Sequence, residues 1–403
     1  MKIKNKFKYV FFISVLFFCS LSYAAEVEIG NEIDFEYRNT KRGDGYKSSD
    51  YRERVRFYFI GHLKDNIDVG LRINSSGIMN STSTRIIYEG SEIKNLTPYF
   101  ENAYIKLNNL YDFPVSLIFG KLPIKWADGI LVNDNNLGLP AVKLNAEIPY
   151  NIDLEAFHCG YRNNYMDISN IKGYGLRFVK EFGFRRIELD YTLEDYESTQ
   201  RVFRNIYGGN FTRNLHKGLE YSIFGYLMNG TKGEDDFDGY ALGAYGKFEG
   251  VVDPLGKGGA WIRYILGTGN LNDDEKGFLP VLSSVESSIL GDYYGRHREF
   301  KLINGSVSNE LTLSHSISNL SMLKNALYAT VFKDITVYFV RSTYKKHDPP
   351  LAIGGSISLG AKYTYSIVDF ELTYTIFAPE DNYDYYEGSD EIKFITFGLS
   401  SRF

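Results

Sequence analysis

Cysteine, proline and long apolar runs are what this sequence has least of. Of 403 residues, two are cysteines (Cys19 and Cys159) and ten are prolines. An apolar run from Val10 to Leu21 follows Lys2, Lys4, Lys6 and Lys8 and closes on Ser22-Tyr23-Ala24. That is the layout of a secretory signal peptide cleaved after Ala24. A membrane-spanning helix needs roughly 20 apolar residues, and this run is shorter. Phe18 stands where a small residue would precede a lipidated cysteine, which argues against Cys19 as a lipid anchor. Residues 1–24 are therefore expected to be a cleaved signal, and 25–403 one domain that keeps Cys159 alone and forms no intramolecular disulfide. No later run is long enough for a membrane helix. Positive charge is scarce as well. Four of the 45 basic residues lie in the signal, leaving 41 against 50 acidic ones, a formal charge of −9. Such a balance does not suggest a nucleic-acid surface.

What the chain does have is aromatics and glycine: 33 Tyr, 29 Phe and 38 Gly. Aromatics favour strands, and Tyr favours the membrane–water interface. The residues also alternate. Val27, Ile29, Ile33 and Phe35 interleave with Glu26, Glu28, Glu32, Asp34 and Glu36, and Val55, Phe57 and Phe59 with Arg52, Arg54 and Arg56. Ile67–Asn74, Arg186–Leu193, Ser356–Tyr365 and Val368–Ile376 repeat the pattern. A period of two gives each segment one oily and one wet face. Segments of about ten alternating residues are the signature of membrane strands, which must close into a barrel because lipid tolerates no open sheet edge.

Short turns are expected near Lys64–Asn66, Asn108–Phe113, Pro149–Asn151, Phe182–Gly183, Asn214–Lys217, Gly250–Lys257, Lys333–Asp334 and Ser366. Longer polar stretches (Asn39–Ser49, Ser75–Thr97, Pro123–Leu139 and Thr268–Met322) lie between them. Leu311, Leu313 and His315 are placed in the last of these. The acidic runs Glu234-Asp235-Asp236 and Glu380-Asp381 are also read as loops. The expected fold is all-β: a transmembrane antiparallel up-and-down barrel of about 18 strands, with short periplasmic turns and long extracellular loops. The last strand places Lys393, Ile395, Phe397, Leu399, Ser401 and Phe403 on one face. It resembles the terminal signal by which outer-membrane barrels are recognised for insertion, carried here by Phe397, Leu399 and Phe403. A soluble β-sandwich would bury the same apolar face in a dry core, but one uninterrupted meander of this length speaks against it.

Alternation also drafts the lumen wall. Its cations are Arg52, Arg54, Arg56, Arg72, Lys106, Arg177, Arg186, Arg263 and Lys362. Its acids are Glu28, Glu32, Asp34, Glu36, Asp68, Glu188, Asp190, Asp369 and Glu371. These form either a charged constriction that sorts solutes by sign or cross-strand ion pairs that fill the interior and hold register. Tyr58, Tyr104 and Trp261 fall on the same face, so a closed lumen is a second reading. Loop 268–322 is long enough to fold inside as a constriction or plug, or to stay at the surface. The six histidines lie in no Gly-x-Ser-x-Gly or His-Glu-x-x-His context. No catalytic residue, metal ligand or cofactor is expected.

The stretch Glu101-Asn102-Ala103-Tyr104-Ile105-Lys106-Leu107, followed by Pro114–Lys121 and then Asp128-Gly129, resembles the alginate-export family of outer-membrane porins. In that family an Ala-Tyr strand leads by a short turn to a strand ending in Gly-Arg, and an Asp-Gly loop follows. Gly120, Lys121, Asp128 and Gly129 are the matching positions, and the hairpin from Ser358 to Pro379 fits as well. The resemblance implies an 18-stranded monomeric barrel with a basic lumen that passes an anionic polysaccharide. Lys121 departs from the family arginine, keeping the charge but losing the bidentate grip on carboxylates.

Together these readings predict a channel of the outer membrane of a Gram-negative-type bacterium for hydrophilic solutes, anionic ones such as acidic oligo- or polysaccharides among them. A closed surface barrel whose loops bind a ligand or host factor is the alternative. Expected partners are outer-membrane lipid, periplasmic chaperones, the barrel-assembly machinery and the solute, and no nucleic acid.

Overall fold

Alternating segments that share one oily face pair edge to edge until the last meets the first. Eighteen strands do this here: β1 (Glu26–Arg42), β2 (Lys47–Lys64), β3 (Ile67–Asn80), β4 (Tyr99–Leu107), β5 (Val115–Leu122), β6 (Leu139–Ile148), β7 (Ile152–Asn163), β8 (Ile168–Phe182), β9 (Arg185–Glu197), β10 (Arg201–Leu215), β11 (Leu219–Lys232), β12 (Asp235–Val252), β13 (Gly256–Gly267), β14 (Leu320–Val331), β15 (Ile335–Lys346), β16 (Ala352–Tyr365), β17 (Val368–Pro379) and β18 (Ile392–Arg402). Each pairs antiparallel with its neighbours in sequence, and β1 pairs with both β2 and β18, which closes the barrel. The structure is a computed structural model. It describes residues 26–42, 47–64, 66–80, 86–88, 91–93, 99–127, 130–133, 139–163, 168–197, 201–215, 218–252, 256–269, 278, 320–332, 334–347, 350, 352–380 and 391–402.

The eight short turns fall where the sequence placed them, between β2 and β3 and then at every second connection. Connections at the opposite end vary more than expected. Four are long, after Asn80, Leu122, Gly267 and Pro379, but β11 and β12 are joined by Gly233 and Glu234 alone. Asp235 and Asp236 therefore begin a strand rather than lie in a loop, because they continue the ladder opposite Lys232 and Thr231. Strand pairing likewise extends to Arg42 and from Lys47, and β14 starts at Leu320, so the stretches expected as loops from Asn39 and to Met322 are shorter.

The apolar face points outward. Ile29 and Leu327 are 67% and 60% exposed, whereas Asp34, Glu36, Glu188 and Lys324 on the other face are buried, Lys324 to 2%. Exposed Phe113, Tyr150, Phe184, Phe332 and Tyr365 lie in or beside the short turns. Tyr174, Tyr191, Tyr207, Tyr264 and Tyr374 lie some eight residues further along, still facing out. At 3.3 Å per residue and a tilt of about 40°, these two aromatic bands stand roughly 20 Å apart, close to the height of a barrel's lipid-facing band. Such an outer face is suited to hydrocarbon.

Aromatic rings on the inner face lie over glycines directly across the ladder: Tyr58 over Gly30, Tyr104 over Gly70 and Tyr338 over Gly360. A Cβ at Gly360 would stand 2.2 Å from the Tyr338 ring. The missing side chain lets each ring lie flat against the wall and pin the register.

Candidate functional site

The candidate site is the lumen, and one loop divides it. Between β5 and β6 the chain turns into the barrel as a short ribbon, Lys125–Trp126 paired with Val132–Asn133. Ile124, Trp126, Ile130, Leu131 and Val132 are all buried there, packed with Phe157, Cys159, Ile206 and Tyr226 of the inner wall. Five large apolar side chains in a surface loop would be costly in water. This composition was the available sequence signal for an inserted loop, and reading Pro123–Leu139 as merely polar missed it.

A polar network anchors that loop. The Trp126 indole N–H donates to Glu155, which also pairs with Lys143 at 2.9 Å. The Trp126 ring meets Phe157 edge-on at 4.8 Å, and the Arg177 guanidinium lies over it at 4.6 Å. Arg177 Nε donates to Asp190 Oδ1 at 2.6 Å, and Tyr226 donates its hydroxyl to Asp190 Oδ2 at 3.0 Å. Planar Arg177 thus stacks on an indole and grips a carboxylate at once, a combination lysine could not supply. Lys143, Glu155, Trp126 and Tyr226 were not among the sequence candidates.

Toward the short turns, below this loop, the lumen opens into a cavity of about 730 Å³. Its charged lining is Arg177, Arg185, Arg186, Lys247 and Arg263 with Glu181, Glu188, Glu220 and Glu249, and Tyr226, Tyr245, Trp261 and Tyr328 contribute rings. Arg186 pairs with Glu188 at 2.6 Å and Glu181 at 3.3 Å, and Lys247 with Glu249 at 2.9 Å. Toward the loop end the wall changes character. Met228, Ala241, Ile265, Met322 and Tyr344 face inward there and pack together with Phe278. Phe278 is fully buried, and its N–H donates to the Thr268 carbonyl at 2.9 Å. The polar inner face expected throughout is therefore apolar near this rim, where the wall meets packed side chains rather than water.

The other sequence candidates occupy the wall in several settings. Arg56 contacts Glu32 at 3.2 Å and Glu101 at 2.9 Å. Arg72 lies over the Tyr58 ring at 5.9 Å, Lys106 is 4.0 Å from Asp68, and Lys362 pairs with Asp369 at 2.8 Å. His62 bridges Asp68 at 2.7 Å and Glu28 at 3.5 Å, and Glu371 accepts from the Tyr338 hydroxyl at 2.5 Å. Arg54 and Arg52 stand opposite Asp34 and Glu36 in the ladder, but their side chains lie outside the described residues. So do the signal segment, Asp128, Gly129, Leu311, Leu313, His315, Phe403 and nearly all of 270–319. Gly120 has φ +136°, and a Cβ there would stand 2.2 Å from the Ala103 carbonyl oxygen, so glycine is required whatever the family. Lys121 Nζ donates to the Phe100 carbonyl at 2.8 Å. Phe397 faces outward beside the first strand, opposite Tyr37.

No protein-family model matches the chain, and no curated protein matches it. Solved structures do. The chain is similar to Pseudomonas aeruginosa OccK11 (OpdR), with 10% identity and a TM-score of 0.60 over 94% of this chain and 96% of that one. It is similar to Acinetobacter baumannii OccAB1, with 9% identity and a TM-score of 0.61 over 94% and 97%. For Pseudomonas aeruginosa OccK5 (OpdH) the values are 10%, 0.60, 94% and 98%. Likeness at a tenth identity is likeness of fold: the closed 18-stranded barrel of Occ/OprD porins. It lends no support to the alginate-export family.

Proposed function

We propose that this barrel is a porin-type channel of a Gram-negative-type outer membrane, passing small hydrophilic solutes with a preference for anions, acidic saccharides among them. One observation carries the preference. Strands β13 to β16 are consecutive staves of the wall and hold seven Lys and Arg but no Asp or Glu, in a chain whose charge is otherwise negative. Arg263, Lys324 and Lys362 of this sector face inward. Cations that line a narrow, water-filled passage lower the barrier for anions and raise it for cations. Arg263 reaches the cavity below the inserted loop, where aromatic rings give a sugar face something to stack on. The loop sets the width, and the charges set the sign.

The test is current through the purified barrel in a planar bilayer under a tenfold KCl gradient. A steady conductance with an anion-selective reversal potential is expected, moving toward cation selectivity in the double variant Lys247→Ala, Arg263→Ala. A folded, heat-modifiable barrel that carries no current would overturn the channel. That outcome would favour the closed surface barrel, a reading supported by the apolar packing of Ile130, Leu131, Val132 and Phe278 near the loop-end rim.

A further inference from the structure

The same acid-free sector has an outer side that a solute channel does not explain. On β15 the inward residues are Tyr338, Val340, Ser342 and Tyr344, all buried, so Arg341, Thr343 and Lys345 face out. Arg341 and Lys345 are exposed. Arg341 stands eight residues from the short turn, level with the outer-face tyrosines, and Lys345 stands just above it. Immediately below lie exposed Val337 and Leu327. Across the ladder Arg341 faces Asn325 and Ile357, and Lys345 faces Ser321. Ser321 in turn donates to the Tyr264 hydroxyl at 3.4 Å. Strands β13 to β16 carry no carboxylate, and among the described residues no ion pair joins Arg341 or Lys345 to one.

A cation at the edge of a lipid-facing band is costly unless it snorkels to an anion or to water. Elsewhere on the outer face the barrel supplies that anion itself. Arg201 is held by Asp195 at 2.8 Å, and Lys393 by Glu391 at 3.1 Å. At Arg341 and Lys345 it supplies the neutral side chains of Asn325 and Ser321 and no carboxylate. We infer that Arg341 and Lys345, with Asn325 and Ser321, form a docking site for the phosphate-bearing headgroup of a lipid in the outer leaflet. Guanidinium and ammonium groups bind phosphate oxygens by charge-assisted hydrogen bonds. The two Cα atoms stand roughly 13 Å apart at 3.3 Å per residue. The long side chains can therefore converge on one phosphate or take two on the same headgroup. The occupant is a lipid because Leu327 and Val337 continue the site downward as an acyl-chain surface. The inference rests on the reading of the barrel as membrane-spanning.

The experiment is native mass spectrometry of the full barrel, refolded in a neutral detergent and titrated with diphosphoryl lipid A, with dephosphorylated lipid A and diacylglycerol, neither of which bears a phosphate, as parallel probes. Heat-modifiability on a gel first shows that each variant is folded, so a barrel that does not form is told apart from a lipid that does not bind. Wild-type protein is expected to retain the phosphorylated lipid at least tenfold more tightly than either control lipid. The double variant Arg341→Ala, Lys345→Ala loses that margin, and Lys393→Ala keeps it. Inorganic phosphate at millimolar concentration should not displace the lipid, since it lacks the acyl chains. Equal retention by wild type and the double variant, equal retention of the dephosphorylated lipid, or displacement by free phosphate would each overturn the inference.

Discussion

Arg56 and Glu101 meet on the inner wall across an intervening strand. Nη2 donates to Oε1 at 2.9 Å, and Nε lies 2.9 Å from Oε2. By strict alternation Glu101 would face lipid, because its neighbour Asn102 faces in. A bulge between Arg72–Asn102 and Ile73–Phe100 leaves Glu101 as the extra residue and turns it inward. The pair is a product of that one irregularity.

Removing one partner should therefore be felt. Glu101→Gln takes one carboxylate from Arg56, which keeps its contact with Glu32, and is expected to cost about 1–3 kcal/mol, the range for a buried polar group losing a partner. The urea midpoint of the barrel in detergent would read this. Replacing both, as Arg56→Met with Glu101→Leu, should recover most of the loss, because neither charge is then left buried. An unshifted midpoint in Glu101→Gln would mean that the pair contributes nothing.

Trp126 is the wedge that fixes the inserted loop. Trp126→Ala removes a fully buried indole and should loosen the loop, raising single-channel conductance at least twofold. An unchanged conductance in the folded variant would place the narrowest point elsewhere.

Arg177→Lys tests the anchor without changing the charge. Lysine loses both the stacking on Trp126 and the fixed geometry toward Asp190. Conductance should fall between wild type and Trp126→Ala, with the reversal potential unmoved. A shift in selectivity without a change in conductance would argue that Arg177 acts on the ion rather than on the loop.

Gly360 lies under the Tyr338 ring, whose hydroxyl bonds to Glu371 and Thr373 at 2.5 Å each. Gly360→Val must lift that ring into the lumen and break both bonds, costing about 1–3 kcal/mol as overpacking. Slower refolding into detergent and a lower melting temperature would be measured. Tyr338→Ala in the same background should relieve part of the loss.

The sequence alone determined the period, the face and the turns. Side chains alternate across a strand whatever lies around it, so Ile29, Phe57, Leu359 and Leu372 could be placed on the oily side and Asp34, Arg56 and Lys362 on the wet side. Short clusters of Asn, Asp, Gly, Pro or Ser interrupt the alternation and mark tight turns locally, so the eight short connections were legible. Only the tertiary structure decided which charges meet, where a bulge inverts the alternation at Glu101, and that Ile124, Trp126 and Ile130 to Val132 fold inside. Those outcomes depend on strands far apart in the chain, and on a loop whose apolar residues have nowhere drier to go than the lumen. The lumen's width near the loop-end rim, and with it the mechanism, belongs to that second class.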